Sequence, residues 1–160
     1  MFKLHKRDED GAVRQYHEVW ADPENRRLIC HWGEIGQEGE VEAHRIWLVR
    51  SLEEQVEALL QPARDAGFSE LGAADYTSLV VASETEDEGA VVDLDLRDAM
   101  ADRIQEILGW TGLGHCDRAG TTDHSMELIC LVVNFDLAKS VLTEALAHGE
   151  FADTSLIIRA

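Results

Sequence analysis

Three clusters of turn-forming residues cut the first 50 positions into short pieces: Asp8-Glu9-Asp10-Gly11, Asp22-Pro23-Glu24-Asn25 and Gly36-Gln37-Glu38-Gly39. Glycine supplies positive φ, proline fixes φ, and Asp and Asn side chains fold back onto their own backbone, so such clusters reverse the chain. The intervening stretches 2–5, 12–20, 27–32 and 42–49 are rich in β-branched and aromatic residues, which predicts four strands. Alternation is clearest where Tyr16, Glu18 and Trp20 oppose His17, Val19 and Ala21.

Periodicity then changes. Ser51-Leu52-Glu53-Glu54 has capping-box spacing, in which the serine side chain and the third-position glutamate satisfy each other's backbone amides. Leu52, Val56, Leu59, Leu60 and Ala63 recur at helical period and are expected to lie on the sheet. Pro62 is expected to end or kink that helix, with Gly67 as its stop and Phe68 returning to the core. The small-residue stretch Gly72-Ala73-Ala74-Asp75 then separates two domains, expected at 1–71 and 76–160.

The second part reads strand, helix, strand, strand, helix, strand. A strand is predicted over 77–83, and a helix capped by Asp95 buries Leu96, Met100, Ile104, Ile107 and Leu108. A strand pair over 113–117 and 126–135 is joined by a loop over 118–125. Asp136 is expected to cap a second helix that turns Leu137, Val141, Leu142, Ala145 and Leu146 inward and stops at Gly149. Leu156-Ile157-Ile158 closes the sheet. This βαββαβ order fits a ferredoxin-like arrangement, so the fold class expected for the whole chain is α+β. One strand is unusual: Leu128, Cys130 and Val132 alternate with Ile129, Leu131, Val133 and Phe135, so both of its faces are apolar. Helices cover one face only of such a sheet. The other requires the first domain, a second copy of the chain in a homodimer, or a partner.

Charge narrows the function. The chain carries a formal net charge of −18, with lysine only at Lys3, Lys6 and Lys139. Such a field repels phosphate backbones and attracts basic partners. Apolar residues make up 45% of the 160 positions, enough for an ordinary core. The longest apolar run, 128–133, is too short to span a bilayer, and the first residues lack the apolar stretch of a signal peptide. Cys30, Cys116 and Cys130 are odd in number and lack CxxC spacing, and read as reduced thiols of a cytoplasmic protein.

The ordered set Tyr16-His17-Glu18-Val19-Trp20, then His31-Trp32-Gly33-Glu34-Ile35-Gly36-Gln37-Glu38-Gly39-Glu40, then Ser51-Leu52-Glu53-Glu54-Gln55 resembles the WGR domain family over residues 1–71. That family has a tyrosine-bearing strand, W-G-R-[IV]-G-x-x-G-Q and an amphipathic helix. It occurs beside the catalytic region of poly(ADP-ribose) polymerases, in bacterial regulators and in stand-alone proteins. The resemblance implies an antiparallel sheet with one helix, forming a binding module whose motif residues are Tyr16, Trp20, Trp32, Gly33, Glu34, Gly36 and Gly39. In members that bind DNA breaks, the residues equivalent to Trp32 and Glu34 contact the nucleic-acid end. Here a glutamate stands where the family has arginine, and Glu40 stands where it has glutamine. Arginine offers five donors to phosphate and glutamate repels it. Arg26, Arg27, Arg45 and Arg50 are the remaining cations near the motif, dispersed among carboxylates. In the motif itself, Gly33 and Gly36 are expected to permit a tight turn and Gly39 to reverse the chain with positive φ.

Reactive side chains concentrate at His115, Cys116, Asp117, Asp123 and His124. His115, Cys116, Asp117 and His124 are weak candidates for metal ligands or a Cys–His site, but their spacing matches no zinc pattern, and turn and strand-edge residues beside a buried thiol explain them better. His5, His17, His31 and His44 fall on different predicted strands. No GxGxxG, P-loop, GxSxG or HExxH sequence occurs. The expectation is a non-enzymatic adaptor without a cofactor, of immunity or regulatory type. It recognises a basic protein; DNA-end binding is the alternative, disfavoured by charge, and a metal-dependent enzyme comes third.

Overall fold

The computed structural model describes residues 1–84, 94–121, 125–147 and 156–159. The chain is a mixed α/β protein that divides into two compact units, Met1–Ala73 and Ala74–Ala160.

The first unit is a four-stranded meander, β1 (Phe2–Arg7), β2 (Val13–Asp22), β3 (Arg27–Glu34) and β4 (Glu40–Arg45), antiparallel and in sequence order. One helix, α1 (Leu52–Asp65), covers one face. Leu4, Val19, Leu28 and Cys30 from the sheet meet Val56, Leu60 and Ala63 from the helix in a single buried cluster. The helix starts on the anticipated capping box: the Ser51 hydroxyl accepts from the Glu54 amide, and the Glu54 carboxylate accepts from the Ser51 amide. It ends where Gly67, at φ 90°, lets its own amide donate to the Arg64 carbonyl and the Phe68 amide donate to the Ala63 carbonyl. That pairing satisfies two of the helix's last carbonyls.

Three expectations for this unit need correction. β4 stops at Arg45, and Trp47, Leu48 and Val49 stand exposed in a turn rather than in a strand. The Gln55 side chain holds that turn, accepting from the Trp47 amide and donating to the carbonyls of Trp47, Arg50 and Ser51. Gln55 is accordingly buried, while Leu52 points outward at 45% exposure. Pro62 neither ends α1 nor marks its boundary. It sits on the exposed side one turn from the end, where a proline forfeits a single backbone bond.

The second unit contains β5 (Thr77–Glu84), α2 (Leu94–Trp110), β6 (Gly114–Thr121), β7 (Ser125–Val132), α3 (Phe135–Leu146) and β8 (Leu156–Arg159). Its strands are ordered β6-β7-β5-β8, every neighbouring pair antiparallel. The helices touch each other and the sheet, which puts both on one face. Met100, Ile104 and Leu108 of α2 and Ala138 and Leu142 of α3 are fully buried with Leu79, Val81, Leu128, Cys130 and Val132. On the opposite face Ile129 and Leu131 are half-buried.

Boundaries shift here too. β6 continues through Thr121, so much of the expected 118–125 loop is strand. Phe135 opens α3 instead of ending β7, and Asn134, not Asp136, is the cap, its Oδ1 accepting from the Leu137 amide at 3.1 Å. Asp95 lies inside the first turn of α2, one residue past its start. Gly149, expected as the α3 stop, lies outside the described residues, as do Asp123 and His124.

Candidate functional site

Register determines which side chains of the first sheet meet. His17 pairs with Trp32, Val19 with Cys30, and Cys30 in turn with Glu42. Directly opposed residues share a face, so His17, Cys30, Trp32, Glu42 and His44 all belong to the face that carries α1. Beyond the buried cluster, this face opens into a groove of about 480 Å³ walled by Pro62, Ala63 and Phe68 and edged by Gln15, Gly33 and Glu34.

Trp32 is the largest side chain lining that groove. Its indole packs against the core on one side and lies nearly parallel to the His17 ring at 6.1 Å, interplanar angle 23°. Phe68 meets His17 edge-on at 6.3 Å. Burial holds the His17 imidazole below its ordinary pKa, against the opposing pull of the Leu59 backbone and the Glu18 charge, and its Nε2 has no hydrogen-bond partner. The groove thus offers aromatic faces and two carboxylates, Glu34 and Glu42. Among its lining residues there is no lysine or arginine. One cation stands at its margin: Lys6 Nζ lies 5.7 Å from the centroid of the Phe68 ring.

The other face of the same sheet carries a buried polar chain. Lys3 Nζ lies 3.2 Å from Glu18 Oε2, Glu18 Oε1 accepts from His31 Nδ1 at 2.7 Å, and His31 Nε2 meets the Tyr16 hydroxyl at 2.9 Å. An ionised Glu18 can only accept, so Nδ1 carries a proton, and in the neutral ring Nε2 accepts from Tyr16. Burial, reinforced by the Glu18 charge, raises the Tyr16 pKa to about 12. At neutral pH the phenol is therefore a hydrogen-bond donor and no nucleophile. Tyr16 and His31 are 0% and 1% exposed, so the chain of bonds braces the fold from within.

The glycines of the W-G-x-I-G-x-x-G run follow from this bracing. The Tyr16 hydroxyl lies beneath the turn, with the Gln37 carbonyl 3.3 Å away. A Cβ on Gly33 would sit 2.9 Å from the Gly39 Cα and 3.0 Å from the Tyr16 oxygen, and one on Gly39 would strike the Trp32 carbonyl and the same hydroxyl. The positive φ belongs to Gly36, at 89°, and not to Gly39. Gly39 is glycine because backbones and a phenol approach it closely, rather than to reverse the chain.

No protein-family model, curated protein or solved structure matches this chain. The site therefore rests on its geometry alone.

Of the motif residues, Trp32, Gly33, Glu34 and Tyr16 line the groove. Trp20 lies on the opposite face, edge-on to His31 at 6.2 Å, and Gly36 and Gly39 shape the turn. The four histidines separate by face: His17 and His44 line the groove, while His5 and His31 lie on the braced side. The groove also recruits Glu42, His44 and Phe68, which no motif marked. Arg26, Arg27, Arg45 and Arg50 do not line it, and Arg45 lies 5.9 Å from the Trp47 ring centroid.

Of the reactive cluster of the second unit, His115, Cys116 and Asp117 are described, and each has a different neighbour. His115 meets the Tyr76 ring edge-on, Asp117 pairs with Arg118, and Cys116 faces Cys130. Among the described residues no three His, Cys, Asp or Glu side chains gather to hold a metal, and no helix is long and apolar enough to cross a membrane.

Proposed function

We propose that the chain is a non-enzymatic binding protein whose N-terminal unit, WGR-like in design, recognises a basic protein partner through the Trp32 groove. The observation that carries this reading is the pairing of stacked aromatic rings with Glu34 and Glu42 in a groove without lysine or arginine among its lining residues. A lysine or arginine side chain suits such a place: its stem lies on the rings, its charge is drawn to the aromatic face, and the carboxylates complete the contact. Phosphate would find the opposite of what it needs. The ferredoxin-like reading of the second unit is supported by its order β6-β7-β5-β8 with all pairs antiparallel.

The alternative, DNA-end recognition, draws on the exposed part of Trp32 and on Lys6 over Phe68. Titration of the protein with an arginine-rich peptide and, separately, with nicked duplex DNA at low salt decides between the two. The peptide is expected to bind, with Glu34→Gln and Glu42→Gln each weakening it about tenfold, or 1.4 kcal/mol, and Trp32→Ala abolishing it. Tight DNA binding lost with Trp32→Ala overturns the protein-partner reading.

A further inference from the structure

The three cysteines of this chain are not equivalent. Cys30 is buried in the first unit, where burial and the Glu42 charge push its thiol up to about 11. Cys116 and Cys130 oppose each other across the β6–β7 pair, next to the bulge between Cys116 and Arg118, with their sulfurs 3.3 Å apart. Cys116 is partly accessible, Cys130 completely buried beneath α2. The Cys116 amide donates to Gln105 Oε1 at 2.8 Å, which fixes the strand against the helix at that position.

We propose that Cys116 and Cys130 form a reversible dithiol–disulfide couple, a modification site for small-molecule disulfides. The backbone suits the product: directly opposed antiparallel residues have Cα atoms about 4.5–5.5 Å apart, inside the range disulfides span. The sulfurs need to close by little more than 1 Å to reach the bonded distance of about 2.0 Å. The polarity of the pair is set as well. A hydrogen bond from the Cys130 thiol holds Cys116 below its ordinary pKa, whereas that contact, burial and the Cys116 charge push Cys130 up. Cys116 is thus the less buried cysteine of the two, with the greater thiolate fraction, and thiolate is the attacking species.

The chemistry runs in two exchanges. Cys116 thiolate attacks one sulfur of a disulfide RSSR, the S–S bond breaks, and RS⁻ leaves. Cys130 Sγ then attacks Cys116 Sγ, expels the second RS⁻ and passes its proton to the departing thiolate. Two protein thiols are oxidised to one disulfide, and the small disulfide is reduced to two thiols. The spatial neighbour, invisible at fourteen positions' separation, is what distinguishes this site from a lone cysteine.

The test uses the full chain and oxidised glutathione as the probe, followed by alkylation and non-reducing peptide mapping. The expected product is a single peptide pair linked through Cys116 and Cys130, lighter by two hydrogens and restored by dithiothreitol, with Cys30 alkylated only after unfolding. In Cys130→Ser the second exchange is blocked, and a Cys116–glutathione adduct is expected to persist. If that variant does not fold, phenylarsine oxide on the unaltered protein serves instead, since two neighbouring thiols displace its oxygen as water and retain one arsenic per chain. A stable glutathione adduct on unaltered Cys116, oxidation of Cys30 ahead of the pair, or no retained arsenic overturns the proposal.

Discussion

The two sheets differ in what they bury. Among the described residues, the first unit encloses His5, Glu18, His31 and Gln55, whereas the second encloses Thr111 as its buried polar side chain. The helix-covered face of the second sheet is hydrocarbon and thiol: Leu79, Val81, Leu128, Cys130 and Val132 against Met100, Ile104 and Leu142. The first sheet instead joins Lys3, Glu18, His31 and Tyr16 in series beneath a glycine turn. Apolar packing is non-directional and degrades gradually, while a buried polar series is costly as soon as one member loses its partner. The first unit is therefore the more sharply specified of the two, and its turn is held in one shape beside the groove.

The contrast breaks most visibly at a pair of glycines. Gly39→Ala is expected to cost about 3 kcal/mol or more, because its methyl meets a backbone carbonyl and a braced phenol that cannot yield. Gly109→Ala, inside α2 with its nearest contact 3.9 Å away, is expected to stabilise by about 0.5–1 kcal/mol. Urea unfolding of both variants measures the difference, and equal effects would refute the distinction.

Next comes the polar series itself. Tyr16→Phe removes one hydroxyl and with it the buried hydrogen bond to His31 Nε2, which is expected to cost about 1–3 kcal/mol. Helix caps supply a smaller and equal effect in the two units. Ser51→Ala and Asn134→Ala are each expected to cost about 1 kcal/mol, which calibrates the larger changes against a feature both units share.

The smallest expected effect is a pH dependence confined to the groove. Because the folded-state pKa of His17 lies below its ordinary 6.5, the unfolded chain binds the proton more readily. The corresponding stability is complete above 6.5 and lost as pH falls toward the folded value. Stability of His17→Gln is expected to vary less over that window, as read by thermal melts at successive pH values. A steeper fall in the variant would contradict it.

Much of the first unit was legible because its signals are local. The Ser51–Glu54 box and Gly67 act within a few residues, and each lies where it does for the reason the sequence offers. Misreadings arose where one local cue outweighed a partner distant in sequence. The Trp47-Leu48-Val49 run has strand composition, yet Gln55 ties its backbone into a turn. At α3 the competing cue is instead close by: Asn134, two residues before Asp136, has the extended backbone a cap requires. The groove was half legible: Trp32 and Glu34 lie in the motif, but Glu42, His44 and Phe68 join them only through register and the return of the chain after α1. The Cys116–Cys130 contact needed the β6–β7 register, which a bulge shifts and spacing alone does not reveal.

That return of the chain has a consequence of its own. Ser69 forms an antiparallel bridge with His5, its amide and carbonyl both bonded to the strand at 2.9 and 2.8 Å. The first and last stretches of residues 1–73 are thereby stitched together along one margin of the meander. A segment whose ends already meet can be spliced into a loop of another protein with little entropy of closure, so the Trp32 groove comes as a transplantable cassette.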